Sequence, residues 1–224
     1  MKNQLPLSLC SANSISFANY IEGDNQQLLF SLKNKHELFI YLWGEQGAGK
    51  SHLLQAACEQ YLNAGHTAIY IPLAMNHDFS VELLEGLEMM DLVCLDDIDQ
   101  VIGDAHWEEA LFHFFNKIRE QKGRLILAAD NSAVNLAIQL ADLKSRLSWG
   151  LTYQVKLLSD QDKAQAIKLR AQEKGIMMSD DVLNYLLKYS ARDMPALMAL
   201  LEKLDYESLV KQRKLTIPFV KKYL

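Results

Sequence analysis

Cysteine is scarce: Cys10, Cys58 and Cys94 are the only three in 224 residues. An odd number at such spacings offers neither a disulfide framework nor the close pairs of a zinc site, and fits small apolar residues in a reducing cytosol. Long hydrophobic runs are also missing. No apolar stretch approaches the ~20 residues a membrane-spanning helix needs. The one segment resembling an export signal, Met1 to Ala12, is interrupted by Pro6 and Ser8 and is too short for a secretory core. A cytoplasmic protein, outside the membrane, is expected. Positive charge is not in excess either: 23 Lys and Arg stand against 28 Asp and Glu, a net charge of −5. Without a basic surplus to release counterions from a phosphate backbone, stable direct DNA binding by this chain is not expected. No internal repeat and no low-complexity tract is present.

What remains is an ordinary globular composition, 50% hydrophobic and 23% charged, of a length that suits a large lobe plus a small one. Short all-apolar runs at Leu38–Trp43, Thr67–Pro72, Asp91–Asp96, Arg124–Ala129 and Leu151–Leu157 read as strands buried on both faces of a parallel sheet. Helical periodicity fills Lys50–Asn63, Phe79–Met89, Ala105–Gln121 and a stretch near Asn135–Leu147. Strict alternation predicts an α/β fold with a five-stranded parallel sheet and right-handed crossovers. After Leu158 only helical periodicity persists, in Asp160–Gly175, Asp180–Ser190 and Asp193–Val210, with Ser159 and Ser179 as N-cap candidates. The expected organisation is a short N-terminal segment over 1–15, an α/β domain over 16–158 and a small all-helical domain over 159–224.

One run carries chemistry plainly. Gly44-Glu45-Gln46-Gly47-Ala48-Gly49-Lys50-Ser51 matches the P-loop pattern in full, with an apolar strand before it and an amphipathic helix after it. Glycines let the loop curl until its N–H groups face phosphates, and the following helix adds its positive N-terminal end. Lys50 is placed to reach the β- and γ-phosphates, and the Ser51 hydroxyl to ligate Mg²⁺. Leu92-Val93-Cys94-Leu95-Asp96-Asp97 ends a strand in two acids: Asp96 suits Mg²⁺ binding, and Asp97 the orientation of an attacking water. Asp130 closes a further strand at the carboxyl edge, where a sensor would feel a γ-phosphate or where an acid would simply cap a turn.

The chain resembles the AAA+ ATPase core of the bacterial replication initiator DnaA. The resemblance rests on Ser16 to Asn25, on Gly47-Ala48-Gly49-Lys50-Ser51-His52-Leu53-Leu54, on Asp96-Asp97-Ile98 and on Leu143-Lys144-Ser145-Arg146-Leu147-Ser148-Trp149-Gly150-Leu151. It implies an ADP or ATP site that includes Phe17 and its neighbours along the adenine, Gly44 to His52 along the phosphates, and Arg192 reaching in from the lid. It further implies that Arg146 is an arginine finger acting on a neighbouring subunit's nucleotide. The initiator's second arginine one turn earlier is replaced by Asp142. With no DNA-binding domain expected after the lid, the resemblance narrows to the stand-alone regulators that inactivate the initiator. Residues Gln4-Leu5-Pro6-Leu7-Ser8-Leu9 resemble their docking peptide for the DNA sliding clamp, the polymerase III β subunit, with Pro and Ser in swapped order. Expected partners are therefore DnaA and the clamp; self-association stays open. A helicase loader of similar core, or another stand-alone P-loop ATPase, is the competing reading.

Overall fold

A computed structural model describes residues 15–34, 36–74, 80–190, 193–211 and 213–224. Five strands, β1 (Phe39–Trp43), β2 (Ala68–Pro72), β3 (Leu92–Asp96), β4 (Arg124–Ala129) and β5 (Leu151–Gln154), form one sheet in the order β2-β3-β4-β1-β5. All neighbours pair in parallel. β3 and β4 are buried along their whole length, which is why they read as unbroken apolar runs rather than alternating ones.

Side-chain alternation splits the core into two layers. Tyr41, Val93, Leu95, Leu125 and Leu127 face one side with α3 (Ala105–Glu120) and α4 (Ala141–Leu147). Ile40, Leu42, Cys94, Ile126 and Ala128 face the other, against α1 (Gln26–Lys33) and α2 (Lys50–Asn63). From Asp160 on, the described residues hold only helices: α5 (Asp160–Glu173), α6 (Asp180–Tyr189), α7 (Met194–Lys211) and α8 (Ile217–Val220). Their apolar faces meet in a separate cluster around Ile167, Leu186, Leu197, Leu201 and Leu204. Both expected caps are in place. Ser159 and Asp162 form a reciprocal capping box at α5, and the Ser179 hydroxyl accepts from Val182 N.

Three expected elements differ. The helix expected over Phe79–Met89 is two 3₁₀ turns, Val81–Leu84 and Leu87–Met89, separated by Gly86 at φ +81°. A residue in left-handed conformation ends a helix there. The helix near Asn135–Leu147 forms only over its last seven residues, and β5 stops at Gln154 rather than Leu157. Conversely, α1, which periodicity did not predict, follows directly on the segment expected to line the adenine. It is tied down by Arg124, fully buried at the start of β4, which donates to the carbonyls of Ser31, Leu32 and Asn34 at the end of α1 and to that of Glu37. A cation on the last carbonyls of a helix also complements its dipole.

Candidate functional site

β1 delivers the chain at Gly44 to the carboxyl edge of the sheet, and α2 carries it away from Lys50. Between them the loop turns on Gly47 (φ +83°) and Gly49 (φ +95°). Room is scarce as well: a Cβ on Gly47 would lie 2.8 Å from Pro195 Cδ, at the first turn of α7, and one on Gly49 would lie 3.0 Å from the Tyr20 ring. Loop, N-terminal segment and helical lobe thus close on one another around a cavity of about 660 Å³. Gln46 to His52, Tyr20, Asp97 and Asp130 line it from the α/β side, and Leu169, Arg170, Met194 and Pro195 from the helical side.

Lys50 is almost fully buried at the base of this cavity. Its ammonium donates to Gly44 O at 2.7 Å, Glu45 O at 3.3 Å and Asp130 Oδ1 at 2.8 Å. Asp130 therefore does not merely cap a turn; it is the charge partner of the loop lysine. Gly44 does not line the cavity, and its part is to hold Lys50 through its carbonyl.

The acids behind the loop divide by burial. Asp96 is fully buried, with one carboxylate oxygen accepting from Tyr70 OH at 2.9 Å and the other from Asp97 N at 3.0 Å. The Tyr70 hydroxyl also meets the Ser51 side chain, so the two expected Mg²⁺ ligands share a neighbour. A hydroxyl and a carboxylate beside a phosphate loop are the hard oxygen donors that Mg²⁺ takes, with waters and phosphate oxygens completing its shell. Asp97 faces the cavity in left-handed conformation (φ +54°). Burial first, then the charges of Asp96, Asp99 and Asp130, push its carboxyl up to about 6 against the pull of Lys50. A carboxyl titrating near neutrality can accept a proton at working pH.

On the opposite side, His52 Nε2 lies 3.0 Å from Ser16 O, and its ring meets Tyr20 edge-on at 5.3 Å. Burial lowers its pKa, partly countered by the Ser16 carbonyl. Asn19 Nδ2 donates to Glu173 Oε1 at 2.9 Å, joining the N-terminal segment to α5. Phe17, expected along the adenine, does not line the cavity. Its ring packs with the α1–α2 layer beneath Lys33, whereas Ile15, Asn19, Tyr20 and Ile21 form the lining.

Arg146 stands apart from all of this. It occupies the last turn of α4, outside the cavity lining, half-buried, with its guanidinium carbon 5.8 Å from the centre of the Trp149 ring. Arg192 and the peptide residues Gln4, Leu5, Leu7 and Leu9 lie outside the described residues.

The residues sequence reasoning missed here act through non-local contacts. Glu108 is the clearest. It is buried on α3, and its carboxylate accepts from Gly103 N (2.9 Å), Gln139 N (2.9 Å) and Leu140 N (2.7 Å). Leu140 is the N-cap of α4 and has no side-chain cap of its own, so Glu108 caps the arginine-bearing helix from across the fold.

Residues 13–154 match the family model of the bacterial DnaA ATPase domain, and residues 160–224 that of the Hda lid domain. An uncharacterized protein of Haemophilus influenzae is 44% identical over 229 residues, covering 100% of this chain and 99% of the relative. Domain III of the Thermotoga maritima replication initiation protein DnaA superposes with a TM-score of 0.80 at 16% identity, covering 92% of this chain and 94% of that one. AMPPCP-bound DnaA from Aquifex aeolicus follows at TM-score 0.68 and 23% identity, covering 85% and 65%. At such identities the solved structures speak for the fold.

Proposed function

The chain belongs to the bacterial DnaA ATPase family, with a lid of the Hda type, and from that membership we propose that it is a nucleotide-binding regulator of DnaA that stimulates hydrolysis of initiator-bound ATP while docked on the DNA sliding clamp. In its own cavity, Lys50 meets the phosphates of ADP or ATP, Ser51 and Asp96 hold Mg²⁺, and Asp97 orients water. That the similarly folded DnaA of Aquifex aeolicus is AMPPCP-bound supports nucleotide binding by this chain as well. Family membership assigns Arg192, outside the described residues, to the same nucleotide.

The observation that carries the regulatory reading is the position of Arg146. It sits on α4, away from its own cavity, and among the described residues no carboxylate pairs with it. A guanidinium that serves no ion pair at home is free to serve a phosphate elsewhere. Phosphoryl transfer spreads charge over equatorial oxygens, and an arginine from a second protein stabilises that charge. Gln4, Leu5, Leu7 and Leu9 supply a polar anchor and apolar anchors for an extended peptide in a clamp groove.

A single experiment tests both halves. Loss of radiolabelled ATP from DnaA is followed in single turnover with DNA-loaded clamp and this protein, as wild type, Arg146→Ala, Arg146→Lys or lacking residues 1–9. Arginine fingers are worth ~10³–10⁵ in rate in GTPases, so Arg146→Ala should abolish stimulation. Lysine should not rescue, lacking the planar fork of donors. The truncated chain should bind nucleotide normally and stimulate only weakly. Equal rates for wild type and Arg146→Ala would overturn the finger, and full stimulation by the truncated chain would overturn the clamp peptide.

A further inference from the structure

Trp149 is 62% exposed, an uncommon position for so large an apolar ring. It is nevertheless fixed from behind. The buried Phe115 of α3 stands 6.4 Å from it between ring centroids, and Phe115 meets Phe39 of β1 edge-on at 4.7 Å. The turn lies flush against β1 because Gly150 has no side chain: a Cβ there would sit 2.2 Å from Phe39 Cδ1 and 2.4 Å from Phe39 O. Core residues therefore set the plane of an exposed indole.

Two guanidiniums share that indole. Arg119, from the last turn of α3, has its Cζ 5.3 Å from the ring centre, and Arg146 has its own at 5.8 Å. Both fall within the ~6 Å over which a ring face attracts a cation, with Arg146 near the limit. An unrestrained arginine samples many rotamers, and that freedom must be given up when it engages a phosphate.

Resting on the reading of Arg146 as a finger acting on a partner, we propose that Trp149 is its positioning residue. The indole restricts the guanidinium to a narrow range of orientations at the exposed edge before a partner arrives. The hold is loose by construction. Arg146 lies at the far end of the attractive range, and Arg119 repels it from the same ring, so transfer to an anionic phosphate meets little resistance. Arg119 stays on the ring when Arg146 leaves, and Phe115 keeps the indole from collapsing into the space.

The test is the same single-turnover reaction, run against the concentration of this protein to separate maximal rate from half-saturating concentration. Trp149→Ala should lower the maximal rate about two- to fivefold and leave half-saturation unchanged. Trp149→Phe, which keeps a ring face, should recover most of the loss. Trp149→Leu, which keeps the packing over Phe115 without a π face, should behave as alanine does. Trp149→Ala should keep the wild-type affinity for nucleotide, a result that general loss of structure would not give. Wild-type maximal rate in folded Trp149→Ala or Trp149→Leu overturns the proposal, and so does a pure rise in half-saturation, which would make Trp149 a docking anchor. If Arg146→Ala itself runs at the wild-type rate, the finger reading falls first and the positioning role with it.

Discussion

Replacing Lys50 by Ala should separate two quantities that the buried ammonium controls at once. The first is stability of the empty protein. Lys50 Nζ is held by Gly44 O, Glu45 O and Asp130 Oδ1. Asp130 is half-exposed and can be hydrated once its partner is gone, so the pair is worth at most ~1 kcal/mol. Gly44 is buried, and its orphaned carbonyl costs about 1–3 kcal/mol. The expected loss is therefore about 1–3 kcal/mol, read by urea unfolding. The second is affinity. A charge-assisted phosphate contact is worth ~1.5–3 kcal/mol, but binding must exchange Asp130 for phosphate, and that exchange returns up to ~1 kcal/mol. Loss of about tenfold in Kd for Mg-ADP and Mg-ATP is expected by calorimetry. Asp130→Asn supplies the counterpart: it frees Lys50 and should tighten both nucleotides. A folded Lys50→Ala protein with unchanged Kd would refute the phosphate role. A drop in affinity for Asp130→Asn would show that the acid helps the ligand rather than competing with it.

Two further outcomes follow from two carboxyls, the half-buried Asp97 and the buried Glu108. Asp97 keeps its proton in the folded chain up to about 6, whereas an unfolded aspartate releases it near ~3.9. Between those values the folded state binds more protons, so this group makes stability fall as pH rises from about 4 to about 6 and level off above. In nucleotide-free buffer with chelator, Asp97→Asn should raise the melting temperature at pH 7.5 and leave it unchanged at pH 4; an equal gain at both would refute the reasoning. Asparagine also tolerates the left-handed backbone at this position. Glu108→Ala orphans the N–H groups of Gly103, Gln139 and Leu140 and should cost on the order of 3 kcal/mol in urea unfolding; a cost below ~1 kcal/mol would show that water or another group caps α4.

How much of this was legible in the sequence depended on how local each cause is. The P-loop, the first four apolar strands and the Ser159 and Ser179 caps are set by neighbours a few residues away, and they stand close to where the pattern put them. The stretch 81–89 failed because one glycine in left-handed conformation outweighed helical periodicity. α1 escaped because the whole helix is 8 residues, about two turns, too short for the periodicity of Leu28, Leu29 and Leu32 to stand out. Arg124 and Glu108 are harder cases. In sequence a charged residue on a strand or helix reads as surface, and only the folded chain shows that backbone groups up to 93 residues away satisfy the arginine. Phe17 and Tyr20 lie three residues apart in the same segment, yet only Tyr20 faces the cavity, a distinction that irregular backbone does not encode by spacing.

The two layers of the core account for how the proposed nucleotide site and the proposed finger can stand in one chain. The phosphate loop and α2 pack in the layer that contains Ala48, Leu53 and Leu54. α4 packs in the opposite layer through Leu143 and Leu147. Its first residues hang from Glu108 of α3, and its last turn meets α3 again where Arg119 shares the Trp149 ring with Arg146. Arg146 thus stands on a frame of α3 and α4 with the whole sheet between it and the loop helix. The helical lobe meets the α/β domain through Pro195 and through Asn19 and Glu173, and none of these residues belongs to that frame. A sheet of parallel strands is the stiffest part of such a fold, because it is hydrogen-bonded along every interior edge and buried on both faces. It can therefore carry a ligand site at one edge and a partner-facing side chain behind it without forcing the geometry of either on the other.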